Sequence, residues 1–537
     1  MPADVNPVKA DTIFINANIV TMDDAESRFR ALAVRNGRII ALGMGGNDSD
    51  DESILSLATA ATEIIDVKGK TLLPGFIDSH VHFTQTGLGA VGYSVYDQTG
   101  KSAVLAVVAG AVAETPPGQP ILVHGLAIGD LDAEIGKADL DAISTEHPIM
   151  IGDVGAHACV LNSKALALLQ PDLDSAATTG DKGIGSTGVL TGPANTRARY
   201  RFYNYAVSDS QRIAALQRAS QMALETGITT VHALEGGNPS DGRGWLPERD
   251  VEILLQVGDQ LPIHVVVYCQ STDVERVASL GLPRIGGCIW VDGAYDEFTA
   301  ALLEPYCNCQ HSKGSLYFSD QELNAFVLKA HRAGMQISMH AIGDAAIEQL
   351  LNAYENALRE YPREDHRHRI EHFSLPTTQH IERAARLGVA VGMQPNFALM
   401  PQAPADTPEQ GGGGLVDYLG EERYRRRHPY RSIVDSGVLV AGGSDADPKP
   451  MGPLIGIHAL VNHPDEQRRL SVYEALKLYT SNGAKIAFEE QNKGTLSVGK
   501  LADLIILDED PFTVQPSQIM NIPVSAVFVE GRRVYDA

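Results

Sequence analysis

The stretch TLLPGFIDSHVHF, residues 71–83, decides the architecture. It is an apolar run bounded by Lys-Gly-Lys on one side and polar residues on the other, and it ends in His80-Val81-His82. Its length and apolar content fit a buried strand better than a helix. In an extended chain residues i and i+2 point the same way, so both imidazoles would enter one space.

Seven more segments share this build: GITTVHAL (227–234), PIHVVVYCQ (262–270), RIGGCIWVDGA (284–294), QISMHAIGD (336–344), RIEHFSL (369–375), AVGMQPNF (390–397) and VLVAGGSDAD (438–447). Helical patterns such as DQELNAFVLKAHRAG and TTQHIERAARLG lie between most of them. Alternating strands and helices imply an α/β protein on a parallel sheet, and eight such units are the count of a TIM barrel. The first 70 residues hold short β-branched runs broken by Asn-Gly and Lys-Gly turns, and GTLSVGKLADLIILD and SAVFVEGRRVYD near the end read alike. Such strands cannot bury a face alone, so the two ends are expected to pair into one small β-domain. The expected division is 1–70 and 486–537 for that domain and 71–485 for the barrel, with 84–226 inserted at its catalytic end and helix-like in KSAVLAVVAGAVAE and SDSQRIAALQRASQMALET. A polar excursion over 398–430 includes Gly411–Gly414 and reads either as a linker or as a loop over the site.

Composition narrows the field. In 537 residues, 43 Lys+Arg against 67 Asp+Glu leave a net charge of -24, which argues against a nucleic-acid binder or a polybasic membrane anchor. No window approaches the roughly 18 apolar residues of a spanning helix, and the start lacks the pattern of a signal peptide. Five cysteines, Cys159, Cys269, Cys288, Cys307 and Cys309, are too few and odd in number for a disulfide framework, so a reducing cytoplasm is expected. Cys307 and Cys309, without a second cysteine pair, read as loop residues rather than a metal knuckle.

Barrel active sites lie at the carboxyl ends of the strands. There this sequence places His80 and His82 on the first strand, His340 on the fifth, His372 on the sixth and Asp445 on the eighth. One histidine at a strand end is commonly a hydrogen-bonded core residue; four with an aspartate at one end point to a divalent metal, Zn²⁺ best of all.

These residues carry a resemblance. LLPGFIDSHVHF, MHAIGDAAI, RIEHFSL, GSDADP and the tail GTLSVGKLADLIILDEDP resemble the amidohydrolase superfamily, and GAHACVLNSKALALL, MQPNF and TSNGAKIAFEEQNKGTL resemble its large metal-dependent branch of N-substituted formamide deformylases. The resemblance implies a distorted (β/α)8 barrel with a β-sandwich from both termini. It implies that His80 and His82 bind the more buried metal, His340 and His372 the second, and that Asp445 contacts the metal-bound water and shuttles its proton. Relatives are commonly oligomers of two or more chains. Many place a carboxylated lysine on the fourth strand to bridge two metals; here that slot is Cys288. Either its thiolate stands in as a metal ligand, or Cys288 is a core residue and the site is mononuclear. The glutamate that relatives often carry after Gly-Val-Leu is also missing, since GVLTG has Gly192. His157, in GAHACVLNS, matches a segment near the substrate pocket, and is read as either substrate-binding or structural.

The neighbours carry weaker readings. Asp344 is expected to orient His340 or cap the next helix, with Asp292 and Glu371 supporting ligands similarly. His124, His232, His458 and His463 read as structural more readily than as cavity residues. The run RYRRRH (423–428) reads as a solvated face, or more sharply as an anchor for a substrate carboxylate. The expected activity is hydrolysis of an amide-like C–N bond, N-acyl or N-formyl, in a small molecule. Metal-activated hydroxide attacks and Asp445 serves as base, then acid. The same site could serve an esterase or lactonase, a deaminase or a decarboxylase; a metal-free scaffold would be expected to lack ligand histidines.

Overall fold

The computed structural model describes residues 9–43, 54–128, 131–156, 158–174, 187–236, 246–295, 298–309, 311–399, 415–446 and 450–537. Eight parallel strands pair in chain order: β1 Phe76–Val81, β2 Ile228–Glu235, β3 His264–Cys269, β4 Arg284–Ile285, β5 Gln336–Ala341, β6 Arg369–His372, β7 Ala390–Met393 and β8 Val440–Gly442. No ladder joins β8 to β1. The backbone just beyond the strands closes the ring instead: Asp445 N–H donates to His80 O, and His82 N–H to Ala446 O, each at 2.8 Å. The seam therefore passes through three of the expected site residues.

The strands are almost wholly buried because helices cover the outside of the sheet. The helix Asp320–Arg332 shows how. Ser319 starts it with a capping box: its hydroxyl accepts the Glu322 N–H, and the Glu322 carboxylate accepts the Ser319 N–H. Its inner face buries Leu323, Phe326 and Val327, each contributing about 1.5–3 kcal/mol. The helices Asp209–Glu225 and Thr378–Leu387 open with the same device, on Ser208 and Thr377.

The chain ends build two sheets beside the barrel. In one, Thr12–Ile15 lies between Ala31–Arg35 and Glu63–Asp66. In the other, Leu504–Leu507 runs antiparallel to Thr71–Pro74, so the two ends of the chain meet as expected. Phe14 and Phe528 touch edge to face across this core, with centroids 5.0 Å apart. No helix among the described residues is long and apolar enough to cross a membrane.

Two local expectations need correction, and the insertion, helical where expected, also carries a sheet. TLLPGFIDSHVHF is not one strand: it divides at Gly75, and Thr71–Pro74 joins the terminal sheet while β1 joins the barrel. β4 is only two residues long, because Gly286 and Gly287 take positive φ values of 93° and 58° and end the strand. The chain regains the sheet at a single bridge, Trp290 to His340, and Cys288 is delivered from the break. The insertion is more than helices: Tyr93–Ser94, Ile121–Leu126, Ile149–Asp153, Ala158–Leu161 and Val189–Thr191 form a five-stranded sheet. A cluster that includes Leu88, Phe202, Tyr203, Leu246 and Trp290 packs this subdomain onto the barrel mouth.

Candidate metal centre

Four imidazoles, one thiol and one carboxylate converge at the carboxyl end of the barrel. His80, His82 and Cys288 form one group of close donors, Cys288, His340 and His372 a second, and His80, His372 and Asp445 a third; within each group the donor atoms lie within 4.8 Å of one another. Cys288 Sγ stands 3.6 Å from His372 Nε2 and 3.9 Å from His340 Nδ1. Asp445 Oδ1 stands 3.1 Å from His80 Nε2 and 3.4 Å from His82 Nε2. Residues from β1, β5, β6 and the turns after β4 and β8 thus meet within one cluster, although the sequence spreads them over more than 360 positions.

Each ring has one nitrogen tied to an oxygen acceptor. His80 Nδ1–H donates to Glu371 Oε2 at 2.7 Å, and His82 Nδ1–H to the Leu234 carbonyl at 3.2 Å. His340 Nε2–H donates to the Gly293 carbonyl at 3.2 Å, and His372 Nδ1–H to Gln394 Oε1 at 2.8 Å. In each ring the opposite nitrogen faces the cluster: Nε2 of His80, His82 and His372, and Nδ1 of His340. His80 Nε2 is buried and makes no hydrogen bond of acceptable geometry. Burial alone would raise the Cys288 thiol. The charge on His80, with the contacts to His340, His372 and His80, outweighs it and holds the thiol well below its ordinary value, favouring the thiolate. Imidazole lone pairs, a thiolate and a carboxylate are the donor set of a borderline-soft divalent cation, so the residues present fit such an ion.

The support beneath the ligands is ionic. Arg369 and Glu371 are fully buried, with Arg369 Nε 2.7 Å from Glu371 Oε1 and Nη2 2.9 Å from Oε2. Arg369 also donates to Ser79 O at 2.8 Å and lies over the Tyr268 ring at 4.5 Å. Gly392 leaves room for the pair, since a Cβ there would stand 2.3 Å from Glu371 Oε2. Asp78 Oδ1 accepts the N–H groups of His80 and Ser444, tying β1 to the turn that carries Asp445. His372, Phe373 and Asp445 all take positive φ, a strained backbone typical of functional sites.

The structure distributes the remaining expectations as follows. Glu371 supports His80 as expected. Asp292 lies 3.6 Å from His340 Nε2, but its carboxylate chiefly accepts the N–H groups of Ala301, Ile342 and Gly343. Asp344 does not orient His340. It opens the helix Asp344–Glu360, accepts the Leu303 N–H and pairs with Arg426 at 2.7 Å. His124 is buried beside Tyr203 in the inserted subdomain, and His232 is buried beside Arg369 beneath the site. His458 lies on the helix Pro453–Val461, and His463 bonds within its own turn. Cys307 and Cys309 are exposed and belong to no metal-competent group among the described residues. His157 and Gly411–Gly414 lie outside the described residues. The reading of RYRRRH as a solvated face is wrong for three of its four arginines. Arg423 binds the carbonyls of Glu304, Pro305 and Leu419, Arg426 binds Asp344, and Arg427 is buried; Arg425 alone stays on the surface, with Glu421. Sequence reasoning missed Arg369, Asp78 and Gln394. Asp78 was detectable, as an acid two positions before His80 on the same face of a buried strand.

Residues 63–535 match the model of the amidohydrolase family. The chain is 28% identical to a putative amidohydrolase, YtcJ, of Bacillus subtilis (strain 168), over 96% of this chain and 98% of that one. It is 27% identical to an N-substituted formamide deformylase of Arthrobacter pascens, over 98% of each. An uncharacterized metal-dependent hydrolase from Pyrococcus furiosus shares the fold with a TM-score of 0.73, at 25% identity, covering 94% of this chain and all of the other. The barrel, the clustered donors at its carboxyl end and a family match spanning nearly the whole length agree: this chain belongs to the amidohydrolase family.

Proposed function

We propose that the protein hydrolyses an amide-like C–N bond of a small molecule, N-acyl or N-formyl, with His80, His82, Cys288, His340, His372 and Asp445 holding one or two divalent ions, Zn²⁺ by preference. A bound ion of this kind supplies Lewis acidity, lowering the pKa of water from 15.7 to about 7 and polarising a carbonyl. The chain supplies the rest. Cys288 belongs to the donor group of His80 and His82 and also to that of His340 and His372, which supports its thiolate as the shared ligand in the place of a carboxylated lysine. Asp445 is the one carboxylate in these groups, and its side chain is 14% exposed, so it is open to substrate as well as to the rings. It takes a proton from the attacking water and delivers it to the leaving nitrogen: a C–O bond forms, the C–N bond breaks, and the amine leaves neutral.

The observation that carries this reading is the common arrangement of the four rings, each anchored at one nitrogen and turned toward the shared cluster by the other. The test is elemental analysis of the purified protein, with a screen of N-acyl and N-formyl amines, esters and lactones. At least one equivalent of transition metal and release of amine are expected, with activity lost on prolonged chelation. Full activity in metal-free protein refutes the metal role, and turnover of esters or lactones alone refutes the C–N bond assignment.

A further inference from the structure

Arg427 is a largely buried residue with no counter-ion among the described residues. It is 8% exposed, its Nε–H donates to the Tyr424 carbonyl at 3.3 Å, and its guanidinium lies over the Tyr424 ring at 4.2 Å. Among the described residues no carboxylate pairs with it, and neither terminal nitrogen has a hydrogen-bond partner. The arginines beside it are different: Arg425 is held by Glu421, and Arg426 by Asp344. The guanidinium packs on Tyr424 while its terminal nitrogens stay accessible and without a partner among the described residues, so the fork of Arg427 can take an anion.

The next residue gives an independent sign. His428 has φ +48°, a strained conformation for a side chain other than glycine, and its Nδ1 is buried with no hydrogen-bond partner. Its backbone N–H donates to Ser374 O at 2.8 Å, which pins the segment two residues beyond His372 at the end of β6. The charge of Arg427 acts on His428. It also acts on Tyr295, whose hydroxyl donates to Ile342 O, two residues beyond His340. The unpaired donors therefore sit at the rim of the metal centre, on the side of His340 and His372.

We propose that Arg427, with His428, forms an anion subsite that takes a carboxylate of the substrate, so that the molecule cleaved is an N-acylated amino acid or a similar acidic amide. A planar guanidinium with two free N–H edges matches a carboxylate in bidentate geometry, and an imidazole N–H can add a further bond. This inference rests on the hydrolase reading for what happens to the bound molecule, but not for binding itself.

The test is calorimetric titration of the metal-loaded protein with N-acetylglycine, N-acetylleucine and N-acetylphenylalanine, each beside its carboxamide, with amine release measured on the same panel. At least one free acid should bind about tenfold or more tightly than its amide. In Arg427→Met that ratio should fall to within about twofold, and Arg427→Lys should restore part of it. Arg427→Gln, close in shape and still polar, serves if the methionine variant does not fold. Equal binding of acid and amide across the panel, or an acid preference that survives the loss of the guanidinium, overturns the subsite. Arg427-dependent binding of acids without any amine release supports the subsite and sinks the C–N hydrolase reading instead. Amine release from amides and acids alike, with no preference in binding, does the reverse.

Discussion

Replacing Glu371 by glutamine removes one negative charge and changes almost nothing in shape. The residue is fully buried and shared: Oε2 accepts from His80 Nδ1 at 2.7 Å, and both oxygens face Arg369 at 2.7 and 2.9 Å. Burial alone would raise the carboxyl, but Arg369 and the bond from His80 outweigh it and hold it below its ordinary value, so the group is ionised at neutral pH. Because its folded value is depressed, its contribution is present above the unfolded value near 4.5 and is lost as pH falls through the folded one. Glu371→Gln leaves the Arg369 guanidinium buried without its counter-charge, which costs about 3–5 kcal/mol. Against a total stability of about 5–15 kcal/mol, that is a large fraction. The same change weakens the anchor of His80 Nδ1 and should reduce metal affinity about 10–100-fold. Denaturant unfolding should be measured on metal-free protein, so that lost metal binding is not counted as lost folding energy. Affinity should be measured separately, by chelator competition. The double variant Arg369→Met with Glu371→Gln separates the two effects: it removes both buried charges and should recover most of the stability but not the affinity. If Glu371→Gln unfolds within about 1 kcal/mol of the parent at neutral pH and binds metal equally well, the reasoning is refuted.

Three other outcomes can be checked directly. Cys288→Ala should lower metal content toward one ion or less per chain by elemental analysis, whereas an unaltered count would return Cys288 to the core. Asp445→Asn should keep its metal and lose turnover on any substrate found, since the amide cannot accept the proton; a normal kcat would remove Asp445 from the reaction. Burial and the nearby charge of Asp250 push Glu235 up to about 8. A carboxyl raised in the fold contributes stability that is full below the unfolded value near 4.5 and lost as pH rises through 8, so Glu235→Gln should flatten the alkaline decline of Tm, and parallel declines in both proteins would contradict this.

Taken alone, the sequence pointed to the barrel, a terminal β-domain and the strand-end residues His80, His82, His340, His372 and Asp445, with Cys288 left open between ligand and core, because strand patterns are local. Strand alternation puts His80 and His82 on one face, and the end of a parallel strand is where a barrel displays polar groups. Tertiary structure decided which nitrogen of each ring faces the cluster. The acceptors come from far along the chain: Glu371 is 291 residues from His80, and Leu234 is 152 from His82. A hydrogen bond at that separation depends on how strands stack and where their side chains turn, and it has no period to read. The four arginines of RYRRRH make the same point: they look alike as text, yet one lies on the surface, two are spent on carbonyls or Asp344, and only Arg427 is buried with its fork unpaired among the described residues. Burial and pairing are properties of the packed molecule, and they single out a residue that composition and spacing treat as one of four.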